Sequence, residues 1–74
     1  MNKERRRKIA VCIENLETIN DELIAIKEDE EFAFDNMPEN LQSSMRGEEM
    51  QEAIEYIESA LEHLEETLDE LREV

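Results

Sequence analysis

Few side chains in this chain are equipped for chemistry. There is one histidine, His63, one cysteine, Cys12, and one tyrosine, Tyr56. A cysteine nucleophile needs a base within hydrogen-bond reach. Cys12 falls on an apolar stripe in the first half of the chain. His63 lies away from the centre of the stripe in the second half, so the two face differently and a Cys–His pair is not expected. Carboxylates are abundant, with 22 Asp and Glu against 8 Lys and Arg. Neighbours such as Glu65 and Glu66, or the run Glu28 to Glu31, follow from that density alone. No apolar pocket is foreseen that would raise a carboxyl pKa for acid–base work.

Metal and phosphate chemistry fare no better. A di-metal helical bundle uses inward glutamates and a Glu-x-x-His pair, but the residue three before His63 is Ala60. There is no Asp-x-Asp-x-Asp-Gly loop for calcium. The single glycine, Gly47, cannot form a glycine-rich phosphate cradle. The residues therefore predict a non-enzymatic protein with no catalytic, cofactor or metal site.

The elements that position these side chains are legible in the apolar spacing. Ile9, Cys12, Leu16, Ile19, Leu23 and Ile26 step by three and four residues. Met50, Ile54, Ile57, Leu61, Leu64, Leu68 and Leu71 repeat the pattern after a break. Such spacing places each set on one narrow strip of a helix. Helix formers dominate the composition. Helix one is expected over about residues 2–34, with Asn2 as its N-cap, and helix two over about 47–72. The connection, 35–46, contains Pro38, which ends helix one and suits the first position of a short helical turn. Ser43, Ser44 and Gly47 offer caps for helix two. Two helices joined this way make an antiparallel hairpin. The whole chain of 74 residues reads as one all-α, coiled-coil-like domain.

A lone hairpin buries one stripe per helix and leaves much of each helix wet. Ordering a residue costs about 1–2 kcal/mol of backbone entropy, and a fully buried Leu or Ile returns about 1.5–3 kcal/mol. Small chains without disulfides or metals close that gap by oligomerising. A homodimer is therefore expected, two hairpins forming a four-helix bundle. Ile13 and Ile24 widen the apolar surface of helix one, and Asn20 between them is placed to set register. On helix two, Ala53, Ala60 and Thr67 recur every seven residues on one flank and let a neighbouring helix approach closely. Ile13, Asn20, Ile24, Ala53 and Ala60 are the expected dimer interface, with Tyr56 and His63 at its rim. Cys12 is expected as a reduced thiol in the core.

Charge narrows the partners. The net charge of -14 disfavours direct binding to nucleic acid or anionic membranes and favours a basic protein surface. Five of the eight bases, Lys3, Arg5, Arg6, Arg7 and Lys8, crowd the start. Hairpin pairing would set them beside Asp69, Glu70 and Glu73. Glu14 and Glu17 follow this basic start too closely for the apolar region of a secretory signal. No apolar run approaches the roughly 18–20 residues of a membrane span. A cytoplasmic location is the expectation.

Two surfaces are candidates for binding the partner. Glu55, Glu58, Glu62 and Glu66 belong to the acidic face of helix two. Phe32, Phe34, Met37, Leu41 and Met45 gather at the hairpin tip, either as a small plug or as an exposed patch that grips a partner.

The stretch Glu30-Glu31-Phe32-Ala33-Phe34-Asp35-Asn36-Met37-Pro38-Glu39-Asn40-Leu41-Gln42-Ser43-Ser44, followed by Arg46-Gly47-Glu48, resembles short acidic proteins encoded in phages and prophages of Gram-positive bacteria. Those proteins share a basic start, a centre of this type and an acidic, Leu-rich second helix. Phe32 stands where that pattern has a polar residue. The resemblance spans nearly the whole chain and implies a cytoplasmic phage accessory protein with no catalytic residues to carry over. The combined expectation is a homodimeric protein–protein interaction module. The alternative is an acidic nucleic-acid mimic that inhibits a DNA- or RNA-binding protein, because acids three or four residues apart repeat every ~5–6 Å, close to the phosphate spacing of a strand.

Overall fold

A computed structural model describes all residues, 1–74, as a long antiparallel helical hairpin. Helix α1 spans Lys3–Asp35, the short helical turn α2 spans Glu39–Gln42, and α3 spans Met45–Arg72. Asn2 caps α1 through its side chain, which accepts from the Arg5 amide at 2.9 Å. That cap satisfies one of the orphan donors of the first turn. At the other end the Asn36 side-chain amide donates to the Phe32 carbonyl at 2.7 Å. Pro38 then blocks continuation and stands at the N-cap of α2, one residue earlier than its expected place inside the turn.

Helix α3 starts at Met45, two residues before the expected boundary, because Ser44 is the residue that caps it. The Ser44 hydroxyl accepts from the Gly47 amide at 3.4 Å and donates to the Leu41 carbonyl. Gly47 is not a cap. It is buried in the first turn of α3, and a Cβ there would lie 2.6 Å from the carbonyl carbon of Gln42 and 2.7 Å from the Leu41 oxygen. The missing side chain is what lets the backbone of α2 rest directly on α3. The Gln42 side chain completes this corner by donating to the Phe34 carbonyl at 3.1 Å.

The hairpin is thin. Its extents are 58 × 15 × 12 Å and its radius of gyration is 17.1 Å, where a compact chain of this length would have about 11 Å. Leu68, 2% exposed, is the one fully enclosed large side chain. The rest of the α3 stripe, from Met50 through Ile54, Ile57, Leu61 and Leu64 to Leu71, is half-buried.

Helix α1 meets α3 with a different strip from the one its spacing suggested. The half-buried positions are Ile9, Ile13, Leu16, Asn20, Leu23, Lys27, Glu30, Glu31 and Phe34. Ile9, Leu16 and Leu23 belong to both strips. Cys12, Ile19 and Ile26 do not, and all three are exposed. Cys12 is therefore a surface thiol, not a core one. The apolar surface of α1 is wider than one helix can cover, and α3 covers the half carrying Ile13 and Phe34. The ammonium of Lys27 is accommodated in that half by Glu58 of α3 at 3.4 Å and Glu31 at 3.7 Å.

The basic start also finds different company. None of Lys3, Arg5, Arg6, Arg7 and Lys8 reaches a carboxylate of α3 within 4.0 Å. Arg7 pairs at 3.1 Å with Glu4 of its own helix. The pairs that cross the hairpin are Lys27 with Glu58 and Arg72 with Glu17, the latter at 3.8 Å.

Candidate functional site

Three surfaces emerge from this scaffold. The first is an uncharged strip along one side of the hairpin. The side can be assigned because Glu30 shares a groove with Arg46, Glu49, Met50 and Ala53, whereas Glu31 and Phe34 line the opposite groove with Ile54, Gln51 and Glu58. Cys12, Ile19, Ile26 and Ala33 recur every seven residues on the Glu30 side of α1. Ala53, Ala60 and Thr67 recur every seven on the adjoining edge of α3. Ile19 is 45% exposed and Ile26 54%. Tyr56 and His63, both exposed, border the strip on α3. No acid interrupts either seven-residue row, in a chain with 22 of them.

The residues expected to form the dimer interface separate in space. Ala53 and Ala60 lie on this uncharged strip, as their spacing indicated. Ile13 and Asn20 are half-buried in the seam between α1 and α3, where Ile13 lines a groove with Ile9 and Leu71. A residue already covered by α3 cannot offer the same surface to another hairpin. Ile24, 37% exposed, lies on the flank of α1 that carries Glu17 and Glu31, away from Ala60. Ile19 and Ile26, unlike Ile13, stay outside the seam and exposed; spacing alone does not reveal this, because a period of 3.5 residues fits both candidate strips equally well.

The second surface is acidic. Glu55, Glu58, Glu62 and Glu66 are all exposed on α3. Of these, only Glu58 has a cation within 4.0 Å, namely Lys27. The i, i+3 and i, i+4 spacing aligns them as a ladder of carboxylates rising about 5–6 Å per step. Neighbouring Glu65 is held by Arg72 at 4.0 Å, and Arg72 also meets Asp69 at 3.2 Å.

The third is the tip, which is partly closed and partly open. Phe34 and Met37 are half-buried, and Met37 lines a shallow groove with Ala33, Leu41 and Met50. Phe32 at 72%, Met45 at 76% and Leu41 at 45% remain exposed. Phe32 points outward because it sits on the face of α1 opposite its seam. Of the residues proposed for a tip cluster, Phe32 and Met45 are thus not packed into a plug.

No group of three or more His, Cys, Asp or Glu side chains is arranged to hold a metal ion. Cys12 and His63 are each exposed, on different helices. No helix is long and apolar enough to cross a membrane. Comparison with family models, curated proteins and solved structures found no significant match to this chain.

Proposed function

We propose that this chain is a non-enzymatic protein–protein interaction module that works as a homodimer, two hairpins forming a four-helix bundle. The observation that carries the reading is the uncharged strip of Cys12, Ile19 and Ile26 beside Ala53 and Ala60, left open on a highly charged molecule. Energetics support it. The accessible surface is 5850 Å², against about 4,800 Å² expected for a compact monomer of 8.8 kDa. The excess of roughly 1,000 Å² matches the ~800 Å² that each partner contributes to a standard interface.

The bundle then presents its acidic ladders and its tips outward to a basic protein. In the setting suggested by the resemblance to phage accessory proteins, that partner belongs to a host or phage pathway in the cytoplasm. A second reading, nucleic-acid mimicry directed at a DNA- or RNA-binding protein, is favoured by the exposed Glu55, Glu62 and Glu66, which have no cation within 4.0 Å.

Pull-down from host lysate with the full chain, at low salt and at about 0.5 M salt, tests the two. Screening shortens the reach of exposed charges to a few ångströms at such ionic strength. A mimic loses its capture there, whereas capture through Phe32, Leu41 and Met45 survives. Sedimentation equilibrium tests the assembly, and a monomer throughout the micromolar range would end the homodimer reading.

A further inference from the structure

Charge is distributed unevenly along the hairpin. Residues 22–58, the tip half, hold twelve acids and two bases, a net of -10; the remaining residues, the open half, hold ten acids and six bases, a net of -4. Four of those six bases, Lys3, Arg5, Arg6 and Lys8, have no carboxylate within 4.0 Å. The uncharged strip runs between these ends. Ile9 and Leu71 share the groove at the open end, and Glu30 and Met50 share one near the tip. Ile19 therefore stands close to the midpoint of the strip.

Two hairpins can pack these strips together about a twofold axis in only two ways. With tips at the same end, α1 of each copy lies on α3 of the other. The two halves of net -10 are then side by side, and the free bases of both copies also lie together. With tips at opposite ends, α1 lies on α1 and α3 on α3. Each acidic tip then meets the basic start of the other copy. Both arrangements bring net-negative halves together, but the first sets -10 against -10, whereas the second sets -10 against -4 and places the free bases of each start among the acids of the other tip, so charge favours the second.

We infer that the homodimer is docked head to tail, with the twofold axis passing near Ile19, the second copy covering Cys12, Ile19 and Ile26, and Lys3 to Lys8 level with residues 30–35 of the other chain, which include Glu30, Glu31 and Asp35. This rests on the homodimer reading and specifies its geometry. In this register Cys12 of one copy lies level with Ile26 of the other, and Lys8 lies level with Glu30 and beside Asp29. The whole face that carries the strip is large enough, since 58 by 15 Å, about 870 Å², is comparable to one side of a standard interface. The cationic start, which finds no partner across its own hairpin, finds one across the dimer. A second copy is the occupant with this complementarity, because it carries the same apolar rows and the inverse order of charge.

Cysteine cross-linking under mild oxidation tests the docking directly, alongside sedimentation equilibrium of the uncross-linked chain. Cys12 and its symmetry mate stand fourteen residues apart along the helices, about 21 Å at 1.5 Å per residue. That is far beyond the ~4.4–6.8 Å Cα separation of a disulfide, so the wild-type chain stays uncross-linked. Ile19→Cys in a Cys12→Ser background forms a disulfide dimer across the axis. Ile26→Cys with Cys12 retained forms a doubly linked dimer. Each substitution is at an exposed position, and circular dichroism verifies the fold.

Lys8→Glu weakens the dimer about tenfold at low salt, since the change is made twice in a symmetric interface, and Lys8→Glu/Asp29→Lys restores it. A dimer in sedimentation in which Ile19→Cys fails to link, while Ile19→Cys/Thr67→Cys/Cys12→Ser links, would overturn the head-to-tail docking in favour of the same-end arrangement, in which Ile19 lies level with Thr67 of the other copy. A monomer in sedimentation would remove the homodimer itself. Those two failures are distinct.

Discussion

Replacing Gly47 with alanine separates intrinsic helix preference from tertiary packing. Gly47 lies inside α3, and in an isolated helix Gly→Ala is stabilising by up to about 1 kcal/mol. In this fold the added Cβ would sit 2.6 Å from the carbonyl carbon of Gln42 and 2.7 Å from the oxygen of Leu41, and nearer still to the Gln42 oxygen. These are backbone atoms of α2. They cannot rotate aside as a side chain would, because the Leu41 and Gln42 amides are bonded to the Pro38 carbonyl at 2.8 and 3.1 Å. The turn must lift as a unit.

Lifting α2 breaks the Gln42 to Phe34 hydrogen bond, a loss of about 1 kcal/mol. It also uncovers part of Met37 and Met50, about 1–2 kcal/mol more. Against the propensity gain, Gly47→Ala is destabilising by about 1–2 kcal/mol. For a chain of this size each kcal/mol moves the melting temperature by roughly 4–8 °C. Thermal unfolding followed by far-ultraviolet circular dichroism measures it. Protein concentration must be held fixed, because association shifts the midpoint. A Gly47→Ala chain that melts at or above wild type would show that α2 does not bear on α3.

Other perturbations follow from the same geometry. Leu61→Asp places a carboxylate on the half-buried α3 stripe and should abolish the cooperative transition, read by circular dichroism, because a desolvated unpaired charge costs several kcal/mol. Glu62→Lys, one residue away but exposed, should hold or slightly raise the midpoint. It replaces repulsion from Glu58 and Glu66 with attraction worth about 0.2–0.5 kcal/mol per pair, and it should weaken capture of a basic partner. Lys27→Leu should raise the denaturation midpoint in urea: Lys27 occupies a seam position at 25% side-chain exposure with Glu31 and Glu58 as partly exposed partners, and such pairs contribute at most about 1 kcal/mol while a buried leucine contributes about 1.5–3 kcal/mol.

Much of the architecture is legible in the sequence. The two helical segments followed from the three-four spacing of Ile and Leu, the Asn2 cap from its place before a helical run, and the break from Pro38. These are local properties, set by sterics and hydrogen bonding within a few residues. The whole apolar row of α3 was also correctly identified, because its leucines sit opposite a flank of small residues and a face of glutamates and leave one choice of strip.

What the amino-acid order alone left open was decided where two surfaces compete for one neighbour. Helix α1 offers two strips that share Ile9, Leu16 and Leu23, and spacing cannot rank them. Only the approach of α3 selects the strip with Ile13, Asn20 and Phe34 and turns Cys12, Ile19 and Ile26 to the surface. Gly47 reads from the sequence as a capping residue, because the close passage of α2 over it is a contact between backbones and leaves no trace in local pattern. The pairing of Lys27 with Glu58, and the failure of Lys3 to Lys8 to reach Asp69, Glu70 or Glu73, likewise depend on side-chain reach across the hairpin. Periodicity specifies that a helix has an apolar side; the helix that arrives against it determines how much of that side becomes core.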